Sequence, residues 1–351
     1  MRKLARWLRN LLIVVIVIVC IVVVLGIFLL VWFYADSYKD LESFNTEFAI
    51  PGLEDGVVPQ GLGSYTDADG NATFFMCCYM VDGSASRIYV INEGSGTESY
   101  VTLKTASGSD FSGHCGGIAS DGTHVWLSSE MDIYTMDYDT LVSSASATGG
   151  TMNIGTGFVV DAADEGDGKV FNVAYLFYDA EDGALYAGEF YRPGNYPTID
   201  EHQITTPAGD ENTAIVYKLD MDETDAKGFK SIPSCAYSTP SQIQGFAISN
   251  GKVALSESYG LANSYIYVYD LAKANAGEKD TLDLLTADST TVQLDLYYLD
   301  SSSLDTTYIL PSMTEGLTVS NGKVYVLFES AGKKYRMYVR ERMYNVISVS
   351  L

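Results

Sequence analysis

Glu130, Glu189, Glu257 and Glu329 each stand at the end of a short apolar strand, in the corresponding place of four successive copies of one pattern. Carboxylates repeated around an axis can do three different things. They offer the hard oxygen ligands that suit Ca²⁺. Two of them close together push their pKa values apart and supply an acid and a base. They also serve as structural acceptors for hydrogen bonds from the neighbouring repeat. The copies begin at Gln60, Cys115, Val173, Gln244 and Glu315, a second set of positions expected to meet at one mouth. His114 directly precedes the Cys115-Gly116-Gly117 start and is the candidate base or ligand; His124 and His202 are the other histidines, and no two share a zinc-like spacing. Tyr191, Tyr196 and Tyr259 fall in segments predicted to be loops, where they can stack on a sugar ring while Arg192 supplies donors. Gly-rich stretches such as GTGFVV lack the strand-to-helix setting of a phosphate loop, and no nucleophile elbow is present.

The elements that must position these residues are β-hairpins. QGFAISNGKVALSE from Gln244 has counterparts in QGLGSYTDADGNATFFM, CGGIASDGTHVWLSSE, VAYLFYDAEDGALYAGE and EGLTVSNGKVYVLFE. Each has a small-residue start, an apolar strand, a turn ending in Gly and a second strand. The turn glycines are Gly70, Gly122, Gly183, Gly251 and Gly322, and Asp-Gly or Asn-Gly supplies the positive φ that tight hairpins demand. Third strands follow at RIYVIN, DIYTMDY, AIVYKLDM, YIYVYDL and MYNVISVSL. The turn glycines are 52, 61, 68 and 71 residues apart, room for about four strands with long loops. Antiparallel units of this size arranged radially leave no exposed sheet edge. The expectation is an all-β fold, a five-bladed β-propeller over residues 44–351, preceded by one N-terminal transmembrane helix.

Only three strands fit between Glu315 and Leu351, so a strand near residues 44–50 is expected to complete the last blade and close the ring. Residues 190–212 form a long insertion inside the third blade, either a binding loop or a disordered decoration. In a propeller both ring positions, this insertion and the between-blade connections lie on one face, which is therefore the expected binding face.

At the N-terminus, residues 1–10 carry Arg2, Lys3, Arg6 and Arg9, and residues 11–34 run without a charge. Twenty-four helical residues span about 36 Å, enough for a bilayer. Trp7 on one side and Trp32, Phe33 and Tyr34 on the other fit interfacial positions. The run exceeds the apolar core of a signal peptide, and Phe33 spoils a small-x-small cleavage site. The reading is an uncleaved signal anchor with a cytoplasmic tail (1–10), a span (11–34), a tether (35–43) and an extracellular domain on a single-pass membrane protein.

The chain's formal charge is −24, and beyond the span 17 basic residues face 45 acidic ones, or −28. No nucleic acid partner is expected for such a surface. An extracellular protein or glycan, or a cation, suits it better. Of the five cysteines, Cys20 lies in the span; Cys77, Cys78, Cys115 and Cys235 leave both a bridge and buried free thiols open.

The repeat resembles five-bladed β-propellers as an architecture, over nearly all of residues 44–351. Arabinanase-like and levansucrase-like glycosidases of this shape carry an aspartate on the first innermost strand, where this chain has Gln60, and the departure counts against a glycosidase. Calcium-dependent apyrase-type nucleotidases look similar in outline, and EGLTVSNGKVYVLFE is similar to repeats of phytase-like and esterase-like propellers. Ligand or protein binding through the upper face is thus expected ahead of Ca²⁺-assisted hydrolysis of phosphate esters or glycans, with a cell-envelope scaffold as the third reading.

Overall fold

The computed structural model describes residues 2–35, 38–92 and 98–351, with the side chains at 2–4 and 32–35 left aside. The expected flanks at Arg2, Lys3, Trp32, Phe33 and Tyr34 therefore lie outside the described side chains. The chain divides into two units, Met1–Lys39 and Asp40–Leu351. The first is the helix Arg2–Ala35; within Ala5–Val31 an 18-residue stretch has a mean hydropathy of 3.8 and none of it is buried. A soluble core helix would cover one face of such a stretch; this one is long and apolar enough to span a membrane.

The second unit is a five-bladed β-propeller. Its innermost strands, Val57–Thr66, Gly117–Ser120, Val173–Asp179, Ile243–Ser249 and Thr314–Ser320, each pack on the next, and the last packs on the first. The small residues that open each copy have a steric reason. A Cβ on Gly117 would stand 2.3 Å from the backbone nitrogen of Leu176, and one on Gly316 would stand 2.5 Å from that of Leu62. Only a missing side chain lets the strands come this close around the axis. At the opposite ends of the hairpins, Asn250 and Gly251 both have positive φ, 52° and 72°, and Asn321 and Gly322 repeat the arrangement at 49° and 72°. Such a turn matches strand twist, so Asn-Gly sets the register of blades four and five.

Aromatic side chains fill the gaps between blades. Phe246 of blade four stacks on Tyr186 of blade three at 5.0 Å, and Phe74 of blade one meets Tyr325 of blade five at 4.8 Å. Burying a ring such as Phe74 or Phe246 contributes roughly 2–3 kcal/mol. Phe74 is fully buried and Phe246 nearly so.

The outer strands are less regular than the repeat. Blade five takes its fourth strand from Asn45–Ala49, antiparallel to Asn345–Ser350, so the two ends of the domain share one sheet. The third strand there begins at Asn345, two residues later than MYNVISVSL suggests. Blade one gains Gly150–Asn153, parallel to Ser99–Lys104. Blade three has six strands, because the hairpin Asp280–Leu285 with Thr291–Tyr298 adds on parallel to Cys235–Thr239. Blade four is completed by Leu304–Leu310. The insertion in blade three is ordered: Thr198, Ile199, His202 and Asn212 are buried, and Ile204–Thr205 pairs with Glu211–Asn212. The cysteines are free thiols, with Cys77, Cys78 and Cys115 buried and Cys77 Sγ donating to the Cys115 carbonyl at 2.9 Å.

Candidate functional site

Four of the five inner hairpins slip register where the copies begin. The irregularities fall between Pro59 and Gly61, Val173 and Tyr175, Ile243 and Gly245, and Thr314 and Leu317. Gln60, Ala174, Gln244 and the pair Glu315-Gly316 are thus the extra residues of β-bulges. A bulge frees a residue from the ladder and re-aims its side chain, here toward the mouth of the axis. The mouth opens into a pocket of about 640 Å³.

Gln60, His114, Gln244, Glu315, Tyr196 and Tyr259 line this pocket, as do Glu130, Glu189 and Glu329. Blade two contributes through His114 and Gly116 rather than Cys115, which is buried beneath. Three residues singled out in the sequence stand elsewhere. Glu257 does not line the pocket, because its carboxylate accepts from the hydroxyl of Tyr267 on the adjacent strand. Arg192 and Tyr191 are also outside the lining; the Arg192 guanidinium lies 3.8 Å over the ring of Tyr259 and backs that wall. Among the described residues no three His, Cys, Asp or Glu side chains are grouped as an ion would require. Glu130, Glu189, Glu257 and Glu329, the candidate ligands for Ca²⁺, are thus not gathered as one donor set.

Glu315 and Glu329 form the first feature of the wall. They are hydrogen bonded to each other, and Gln60 Nε2 donates to Glu329 Oε2 at 3.2 Å. Burial and then the charge of Glu329 push the Glu315 carboxyl well above its usual range. Burial also lifts Glu329, to about 7, against the opposing pull of Glu315, Lys334 and Gln60. One carboxyl thus keeps its proton at neutral pH while its partner sits near the titration point.

Tyr79, His114 and Tyr335 flank this pair. The rings of Tyr79 and His114 stack at 4.9 Å, and Tyr79 receives Lys334 Nζ at 2.6 Å and stands 3.5 Å from the Tyr335 hydroxyl. Although His114 exposes an edge to the pocket, the loss of solvation, followed by the charge of Lys334, lowers its pKa.

The opposite wall holds a buried set that spacing does not reveal. Glu189 Oε1 accepts from His202 Nδ1 at 2.7 Å and from the Ile215 amide at 2.9 Å. On the far side of the ring, His202 Nε2 is 3.7 Å from Asp161 Oδ2, which accepts from the Tyr217 hydroxyl at 2.8 Å. Glu189, His202 and Asp161 are each 1% exposed. Burial works against a charged imidazole, but the carboxylates of Glu189 and Asp161 outweigh it and raise the His202 pKa. Among the described residues Glu189 Oε2 has no hydrogen-bond partner.

Tyr79, Tyr335, Asp161 and His202 were not singled out from the sequence. Blade one lacks the recurrent acid, and Tyr79 follows Cys78, which occupies the equivalent register opposite Pro59; that gap was the one available signal. His202 and Asp161 come from the insertion and from the acidic run DAADEGDG, brought together only by the fold.

No family model and no curated protein matches the chain. Among solved structures it is similar to the hydrazine synthase of Kuenenia stuttgartiensis, with 11% identity and a TM-score of 0.38 over 84% of this chain and 96% of that one. The GH43_1 enzyme from Xanthomonas citri gives 10% and 0.38 over 86% and 89%. BamB from Moraxella catarrhalis gives 9% and 0.30 over 83% and 82%. At these scores the similarity carries no functional argument, and function has to be read from the pocket.

Proposed function

We propose that the protein is a membrane-anchored binding propeller that holds a ligand in the axial pocket of its extracellular domain. The observation that carries this reading is the convergence of bulge residues from separate blades on one cavity of about 640 Å³, a volume suited to a small molecule or a protruding side chain of a partner. Bulges at four equivalent places serve no hairpin by themselves; three of them aim polar side chains, Gln60, Gln244 and Glu315, at one point. A thermal-shift panel of glycans, amines and amino acids on the full chain in detergent tests it, beside Gln244→Trp, which fills the mouth. Compounds that stabilise the wild type and lose their effect in the variant are expected. A panel with no hits, or hits indifferent to Gln244→Trp, would remove the reading. The helix Arg2–Ala35 supports anchoring, and the four basic residues that precede its uncharged stretch favour a cytoplasmic N-terminus. Protease added to intact cells should then degrade the propeller, and full protection would reverse the orientation.

A hydrolytic reading is favoured by one feature, the Glu315–Glu329 pair. A protonated carboxyl beside one that titrates near 7 is the arrangement general acid–base catalysis uses. Turnover of aryl glycosides or aryl phosphates by the wild type, abolished in Glu329→Gln, is its test.

A further inference from the structure

Apart from His114 and the tyrosines, the ionisable side chains on the pocket's walls are all carboxyls. Glu130, Glu189, Glu315 and Glu329 line it, and among its described lining residues there is no Lys or Arg. The nearest cations are spoken for: Lys334 donates to the Tyr79 hydroxyl and Arg192 lies on Tyr259. Between the carboxylates stand aromatic rings. Phe190 meets Tyr196 edge-on at 5.4 Å and Tyr259 at 6.2 Å.

Glu189 makes this more than an acidic surface. Its side chain is 1% exposed, it lines the pocket, and Oε2 lacks any donor while Oε1 has two. A buried carboxylate oxygen left without a donor is costly. Behind it two acids, Glu189 and Asp161, flank the one imidazole of His202, so the buried set holds more carboxyls than bases. The group that satisfies such an oxygen is a charged N–H donor, which forms a stronger bond than a neutral one. Aromatic faces beside it add attraction for the same cation. A neutral sugar offers that oxygen only a weaker, uncharged donor, and an anion would be repelled by a carboxylate there.

We infer that the pocket takes an organic cation, a ligand whose protonated amine or guanidinium donates to Glu189 Oε2 while its apolar body lies among Phe190, Tyr196 and Tyr259. The inference rests on the pocket being the ligand site, as proposed above, and names the chemical class of what enters it. His202 acts as a positioning residue that engages Oε1 and leaves Oε2 without a donor, and Asp161 holds the far side of its ring.

The test uses the full chain in detergent micelles at neutral pH and three matched probes, 2-phenylethylamine, 2-phenylethanol and phenylacetate, titrated by calorimetry. The amine is expected to bind at least about tenfold more tightly than the alcohol, with phenylacetate weakest. Glu189→Gln should cancel that preference and leave the alcohol within about twofold. Should that variant fail to fold, Asn172→Lys decides, since Asn172 is an exposed pocket residue beside Val173, the strand partner of Glu189. Its ammonium should compete with the amine alone. Equal binding of amine and alcohol would overturn the cation and leave the pocket as a ligand site. Binding of none of the three would also overturn the cation, while the pocket itself stands or falls with the broader panel and Gln244→Trp. An amine preference that survives whichever variant folds would overturn the role of Glu189.

Discussion

Gln60 and Glu329, 269 residues apart in the chain, meet at the mouth of the axis, with Gln60 Nε2 donating to Glu329 Oε2 at 3.2 Å. The contact joins the first hairpin to the last. It also explains what Gln60 does there. The donated N–H favours the ionised form of Glu329, against the burial that raises its pKa.

That pair makes stability depend on pH. Glu329 has its pKa raised from 4.5 to about 7, so between those values the folded state holds a proton the unfolded chain has lost. Stability attributable to the pair is fully present below pH 4.5 and is lost as pH rises through 7, by roughly 3 kcal/mol. His202, whose pKa is also raised, adds a slope of the same sign. Urea denaturation from pH 5 to pH 8 should show the decline, and Glu329→Gln, whose amide does not titrate, should flatten it. A slope unchanged in the variant would contradict the assignment.

The axial glycines and the turn glycines should respond differently to alanine. Gly117→Ala drives a Cβ into backbone of blade three, which cannot give way locally, and should cost about 3 kcal/mol or prevent folding. At Gly251, with φ of 72° and nothing within 4 Å of the added atom, the cost is backbone strain alone, about 1 kcal/mol. Equal losses in the two variants would mean that the close approach of inner strands is not what selects Gly117.

Ring closure can be weakened from its edge. Phe44 precedes the outer strand of blade five and packs edge-on against Tyr308 of blade four at 5.3 Å, while Asp40 Oδ2 accepts from the Ile309 amide at 2.8 Å. Phe44→Ala should cost about 3 kcal/mol and lower the melting temperature by several degrees. An unchanged melting temperature would show that the N-terminal strand does not hold the last blade.

The sequence revealed what depends on local chemistry. Asn-Gly and Asp-Gly turns, alternating strands and a small residue before each inner strand are all short-range signals, and they give the hairpins, the blade count and the first ring of Gln60, Gln244 and Glu315. The parallel additions to blades one and three were not legible, because Gly150–Asn153 and Thr291–Tyr298 join sheets through contacts distant in the chain and carry no turn signal linking them. Glu257 shows the limit of equivalence between copies. It occupies the same place as Glu189, yet a tyrosine at 267 captures its carboxylate, whereas in blade three the insertion delivers His202 to Glu189.

The Glu189–His202 contact supplies the last prediction. Both side chains are buried, so removing either partner strands the other without its counter-charge, and breaking a buried pair from one side costs about 3–5 kcal/mol. Removing both at once leaves no stranded charge on either side of that contact. Glu189→Gln and His202→Gln should therefore each destabilise strongly, while the double variant should cost clearly less than the sum of the two. Asp161 sharpens the expectation. It lies 3.7 Å from the other ring nitrogen, so His202→Gln strands two carboxylates and should be the more damaging single change. Denaturant unfolding of the four proteins measures the coupling. Additive losses would mean that Glu189 is held by the Ile215 amide and by packing, and that the insertion reaches the pocket wall without steering its carboxylate.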